Sequence, residues 1–257
     1  MARVFLSAGH GGSDPGAVAY GLKEKDINLN ILKACRDELK RHKVTVICSR
    51  EEDENDPVGQ EVKEANAADV DIAASFHINA GKGDGFEVFC NPKNEDGMKL
   101  AKLGEKYIKE LGQNSRGIKN GMHLCFIKNT RMMAVLFESF FIDNDKDNNI
   151  GDTVSEQNKL GVAYAKAILE HLDIKYEEEK KTTTSKKTEK KDTSYRVEIV
   201  ADVLKVRKGA GTSFGTNGSV RKGQVYTIVD EKYNGKTKWG KLKSGAGWIS
   251  LGYTKKI

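Results

Sequence analysis

The sequence predicts two units of different class: an open, mostly parallel α/β sheet flanked by helices, then a small all-β barrel. Three observations carry this. Over residues 1–174, short apolar runs alternate with helical patterns, as strands and helices do in an α/β layer fold. From residue 195 onward the runs become short and are separated by polar or Gly-rich turns at about ten-residue intervals, the texture of a small barrel. Between them, residues 175–194 hold seven Lys, four Glu and five Thr with almost nothing apolar. Such a segment cannot bury enough surface to offset its chain entropy and reads as a charged flexible linker. A length of 257 residues agrees with two domains at ~150 residues each.

The elements follow in order. Val4–Ser7 is a buried strand. Ile27–His42 is a helix, because Ile27, Ile31, Ala34, Cys35 and Leu39 share one face, and Asp26 is placed to cap it. Val44–Cys48 is a strand, Val58–Ala68 a helix, and Asp71–Phe76 and Gly85–Cys90 are strands. Leu100, Leu103, Tyr107 and Leu111 define a helix over 100–111; Ala134–Phe137 is a further buried strand and Leu160–Leu172 the closing helix. In the second unit, Val203–Val206, Gln224–Val229, Trp239–Leu242 and Gly247–Ile249 are the short runs.

Charge and composition exclude several classes. The net charge of +6 divides into −5 over 1–174, +2 over 175–194 and +9 over 195–257. The basic last part points to polyanions such as an anionic cell wall. Nucleic acid is disfavoured as a partner, because the barrel lacks an aromatic RNA-binding pattern and the first unit is acidic. No apolar run reaches the ~18 residues of a membrane span, so membrane insertion is not expected. The segment Met1–His10 is too short for a signal peptide, which leads to the expectation of cytoplasmic synthesis followed by release to the wall. The four Cys have no metal or disulfide spacing and read as small buried hydrophobes.

The chemistry-bearing candidates are His10, Glu24, His77 and Glu138. His10 follows the first strand in a Gly-rich loop, and ligands of open α/β sheets bind at the carboxyl ends of strands. Glu24 opens the first helix, His77 ends the third strand, and Glu138 ends the apolar strand 134–137. Two His and one carboxylate form a known catalytic zinc set. The gaps of 14, 53 and 61 residues match no local metal motif, so on spacing alone a helix-cap Glu and ordinary surface His are the readier account.

The motifs narrow this. Gly9-His-Gly-Gly-Ser-Asp-Pro-Gly-Ala17, Glu24-Lys-Asp26 followed by Asn28-Leu29, Ser75-Phe-His-Ile-Asn-Ala80, and Val135-Leu-Phe-Glu138 stand in the order of a known family. Over residues 2–173 the chain resembles the zinc-dependent N-acetylmuramoyl-L-alanine amidases of the amidase-3 family. The resemblance implies one Zn²⁺ held by His10, Glu24 and His77, with Glu138 as catalytic carboxylate. It implies hydrolysis, in peptidoglycan, of the amide between the lactyl group of N-acetylmuramic acid and L-alanine. Asn79 and His123 are further substrate-binding candidates; Asn79 and Asp14 either orient a ligand imidazole or shape loops. The chain departs from the family at Glu61, where an Arg is usual, at Met133, where a Pro is common, and at Phe140-Phe141.

The segment Leu204-Lys-Val-Arg-Lys-Gly-Ala-Gly-Thr-Ser213, with Trp239-Gly-Lys-Leu and Gly247-Trp-Ile-Ser250, resembles a bacterial SH3 domain over about 195–257. That implies cell-wall binding, with Trp239, Trp248 and Tyr253 either stacking on ligand or building the core. Without a signal peptide, a phage or prophage endolysin fits best. A bacterial autolysin of the same chemistry and a catalytically inactive wall-binding protein are the rival readings.

Overall fold

The computed structural model describes residues 2–144, 146–178, 194–212, 214–244 and 246–257. Most of the expected linker, residues 179–193, lies outside the described residues. The chain divides into two compact units, Met1–Glu178 and Glu179–Ile257.

The first unit is built on six strands: β1 (Arg3–Ala8), β4 (Thr45–Cys48), β5 (Ile72–Asn79), β6 (Phe86–Cys90), β7 (Ser115–Asn120) and β8 (Met133–Phe141). A two-residue hairpin, β2 (Val18–Ala19) and β3 (Leu22–Lys23), stands apart from them. The sheet order is β4-β1-β5-β8-β6-β7. The first four strands in that order run parallel, β6 is antiparallel to β8, and β7 is parallel to β6. The expected open, mostly parallel sheet is therefore present, with its direction reversed beyond β8.

Helices cover both faces, which is why the central strands read as continuous apolar runs. Val4, Leu6, Ala74, Phe76, Val88 and Phe137 face α1 (Glu24–Arg41), α3 (Glu95–Glu110) and α5 (Val154–His171). On the other face Phe5, Ala73, Ala134 and Leu136 pack with Val62 and Ala65 of α2 (Val58–Ala67) and Phe126 and Ile127 of α4 (Cys125–Asn129). Gly161 permits the close approach of α5 to α1: a Cβ there would meet the Ile31 carbonyl oxygen at 2.4 Å.

Several boundaries differ from the sequence reading, for local reasons. Asp26 does not cap α1. The helix begins at Glu24 after Lys23, which makes no side-chain cap. The Glu24 side chain has other partners, described below. Helix α3 starts at Glu95 because the Asn94 side chain accepts from Gly97 N at 2.8 Å. Helix α5 starts at Val154 because Thr153 caps Glu156 N.

The second unit is one antiparallel sheet: β9 (Tyr195–Ile199), β10 (Val203–Arg207), β11 (Thr216–Arg221), β12 (Val225–Asn234), β13 (Thr237–Leu242), β14 (Trp248–Ser250) and β15 (Thr254–Lys256). Their order is β11-β10-β14-β13-β12-β9-β15. Alternate residues supply a small core of Val197, Ile199, Leu204, Val206, Val220, Ile228, Leu242 and Ile249.

Candidate active site

The His10 loop leaves the carboxyl end of β1 and is pinned from below. Gly11 and Asp14 exchange two backbone hydrogen bonds of 3.0 Å. Asp53 accepts from Gly12 N at 2.8 Å and from Lys25 Nζ at 2.6 Å. Arg50, fully buried, donates to the carbonyls of Ala8 (3.0 Å), Lys25 (2.8 Å) and Glu52 (3.1 Å). Asn28 Nδ2 donates to Gly9 O at 3.0 Å. Held this way, His10 adopts φ +64°, a left-handed conformation that a non-Gly residue keeps only where its surroundings impose it.

Two glycines make room for the side chains above them. A Cβ at Gly9 would lie 2.1 Å from His77 Cε1, and one at Gly16 would lie 2.6 Å from Glu24 Oε2 and 2.7 Å from His10 Cδ2. These positions form a cradle that any larger residue would fill.

Glu24 is the centre of the cluster. Its Oε1 lies 3.2 Å from His10 Nε2 and 3.0 Å from His77 Nδ1, and accepts from Ile78 N at 3.0 Å. Its Oε2 accepts from Ala17 N at 2.8 Å. One donor atom from each of His10, Glu24 and His77 lies within 4.8 Å of the others, a grouping able to hold a metal ion. The other nitrogen of His10, Nδ1, lies 2.8 Å from Asp14 Oδ2. Asp14 Oδ1 also accepts from Gly16 N at 3.0 Å, so this carboxylate bridges the imidazole and the loop backbone.

Burial opposes the charge of Glu24, but the hydrogen bonds to His10 and His77 outweigh it and hold its pKa far below the carboxylate range. The hydrogen bond to Glu24 raises His10 to about 9 against its burial, with Asp14 adding to the rise. Burial also works against a charged His77, yet its bond to Glu24 and the charge of Glu138 raise its pKa.

Glu138 is the register partner of His77 across β5–β8, and of Glu87 across β8–β6. Burial pushes its pKa up to about 7; the His77 charge opposes this, and Glu24 and Glu87 add to it. Its Oε2 is buried and has no hydrogen-bond partner among the described residues. A buried carboxylate oxygen without a partner is costly and marks a place for a bound group.

Asn79 is tied to the same row: its Nδ2 donates to Glu87 Oε2 at 2.9 Å. His123 packs edge-on against Phe89 at 5.9 Å rather than against the cluster. In the second unit, Trp239 and Trp248 are only 3% and 8% exposed and belong to the interior, whereas Tyr253 is 55% exposed. Lys232 Nζ lies 5.5 Å from the Trp248 ring centroid. Arg50, Glu87 and Arg116 were not singled out by sequence. Arg50 carries no motif signal of its own, and Glu87 and Arg116 stand in strands whose pairing only the fold reveals.

Together these features gather two imidazoles and two carboxylates at the carboxyl edge of the parallel strands of an open α/β sheet. The family follows from comparison with known proteins. The N-acetylmuramoyl-L-alanine amidase family (Amidase_3) matches residues 4–170, and the chain belongs to it. It is 36% identical over 206 residues to the endolysin of Bacillus phage SPP1, spanning 77% of this chain and 74% of that one. It is 34% identical over 151 residues to the N-acetylmuramoyl-L-alanine amidase CwlM of Bacillus licheniformis, covering 57% and 59% of the two chains. Among solved structures, the catalytic domain of the amidase CwlV from Bacillus (Paenibacillus) polymyxa aligns with a TM-score of 0.63 at 30% identity, covering 68% of this chain and all of that one.

Proposed function

We infer that the first unit is a zinc-dependent peptidoglycan hydrolase. It cleaves the amide between the lactyl group of N-acetylmuramic acid and L-alanine. Membership of the amidase family supplies the reaction class. The observation that carries the residue roles is the placement of Glu138, with its unpartnered buried oxygen, in register beside His77 of the donor set.

Two imidazoles and one carboxylate fit zinc, whose catalytic sites use three N or O ligands and leave the fourth position open. His10, Glu24 and His77 are the ligands, and Asp14 fixes the His10 tautomer so that Nε2 is the ligating atom. Bound there, zinc would supply Lewis-acid chemistry towards the scissile carbonyl and the attacking water. Glu138, ionised, accepts the proton of the attacking water and returns it to the departing L-alanine amine. A pKa near the working pH suits a group that must do both.

The second unit serves as an SH3-type anchor to the wall, with Tyr253 on its exposed surface and its basic excess attracting anionic wall polymers. The likeness to a phage endolysin, over 206 residues, favours release of this protein to the wall at lysis over the autolysin reading. Replacing Glu138 by Ala tests the central role. Hydrolysis of purified peptidoglycan is expected to vanish while the protein still retains about one zinc per chain. Full activity in the variant would remove Glu138 from the mechanism.

A further inference from the structure

Four strands place four side chains in one row. His77 on β5 is in register with Glu138 on β8, and Glu138 is in register with Glu87 on β6. Cross-strand partners share a face, so these side chains stand side by side. The row ends on the edge strand β7, where Arg116 Nε donates to Glu87 Oε1 at 2.8 Å. Two strand spacings separate Arg116 from Glu138, about 10 Å at ~4.8 Å each.

The Arg116 side chain is 45% exposed, and its guanidinium lies 5.3 Å from the Phe141 ring centroid. Only Nε is engaged; the remaining N–H donors have no hydrogen-bond partner among the described residues. Glu87 is held on its other side by Asn79, so the guanidinium is fixed at two points while its outer fork stays open. A planar fork fixed in this way suits a carboxylate. Lys119, 3.9 Å from Glu87 Oε1, leaves this end of the row with one cation in excess.

The opposite flank carries the other sign. Asp14 and Asp53 are exposed beside the His10 loop, followed by Glu51, Glu52 and Glu54. An anionic part of a substrate is repelled there and attracted over β6 and β7. On the amidase reading, one side of the scissile bond is a neutral sugar and the other a peptide that continues from L-alanine. Each residue spans at most ~3.6 Å, so the residue after L-alanine falls roughly 7 Å from the scissile nitrogen, within reach of the Arg116 fork.

We propose that Arg116, fixed by Glu87 and Phe141, forms a subsite for a free carboxylate on the residue that follows L-alanine. The peptide then runs over β6–β7 and the sugar towards β1. The subsite rests on the amidase reading for its substrate but not for its geometry.

The test uses two soluble muramyl tripeptides, N-acetylmuramoyl-L-alanyl-γ-D-glutamyl-L-lysine, that differ only in a glutamyl α-carboxylate or α-carboxamide. The zinc-loaded full chain is expected to favour the carboxylate roughly tenfold in kcat/KM, as one charged hydrogen-bonded pair allows. Arg116→Gln is expected to bring that ratio close to one, and Arg116→Lys to retain part of it. An indifferent wild type, or a ratio unchanged in Arg116→Gln, overturns the proposal. An equal loss on both substrates also overturns it, because that is the outcome if Arg116 acts only through Glu87. Binding of the same pair to the Glu138→Ala protein, by calorimetry, reads the subsite without turnover. Selective binding without cleavage by wild type leaves the subsite standing and removes the amidase reading; cleavage without selectivity does the reverse.

Discussion

Glu24 shows how one residue sets the state of the whole cluster. Its buried carboxylate holds two imidazoles, and the His10 pKa rises to about 9. A ligating His must be neutral, so zinc has to displace a proton from His10 at neutral pH. Zinc binding is therefore expected to release protons between pH 7 and 8 and to tighten as pH rises towards 9. Calorimetry in buffers of different ionisation enthalpy checks this; heat independent of buffer would contradict it. Glu61 gives a second residue-scale prediction. It is 2% exposed, and burial pushes its pKa to about 7, with the Ser7 hydroxyl and the His77 charge opposing. The folded state thus prefers it neutral. Its contribution is fully present below pH ~4.5 and is lost as pH rises through 7. Glu61→Gln should match wild type in thermal unfolding near pH 4.5 and exceed it at pH 8, by an order of roughly 3 kcal/mol. Equal stability at both pH values would show that Glu61 is not held neutral.

At the scale of elements, the legible parts of the chain were those whose burial leaves an apolar signature. Strands β1, β5, β6 and β8 are covered on both faces and read as apolar runs; α1 shows its stripe of Ile27, Ile31, Cys35 and Leu39. Strand β7, Ser-Arg-Gly-Ile-Lys-Asn, is a half-exposed edge strand with one apolar residue, so no hydropathy pattern announces it. Helix α4 is five residues long and too short for periodicity. Helices α3 and α5 begin upstream of the stretches their apolar spacing marks, because Asn94 and Thr153 cap them before their apolar faces begin. The four motif residues were legible, but not the reversal of direction at β6 that sets Glu87 beside Glu138. Packing yields its own prediction. Gly161→Ala places a methyl against the Ile31 carbonyl and Ala34 Cβ and must push α5 from α1. The expected cost is ~1–3 kcal/mol, read as a lower denaturation midpoint; an unchanged midpoint would mean the helices separate freely. Arg50→Ala removes the donors to the Ala8, Lys25 and Glu52 carbonyls and should cost at least as much, with weaker zinc retention as the His10 loop loosens.

At the scale of the whole molecule, two units of opposite charge stand in one chain, and the proposed function divides the work between them. The acidic first unit holds His10, Glu24, His77 and Glu138, and the basic second unit has neither His nor Cys. Linking even a weak wall binder to the enzyme raises its concentration at an insoluble substrate. Deleting residues 175–257 should therefore reduce sedimentation with cell walls more than it reduces cleavage of small soluble muramyl peptides. The wall binding of the full chain should weaken with added salt. Equal sedimentation by the truncated form would remove the anchoring role. The central claim, a metal-dependent amidase, is tested most directly by digesting purified peptidoglycan with the full chain, with and without a chelator, and assaying the new ends. The expected result is new L-alanine amino termini, no new reducing sugars, and loss of both activity and zinc with chelator. New reducing ends, or amino termini that persist once the metal is gone, would contradict it.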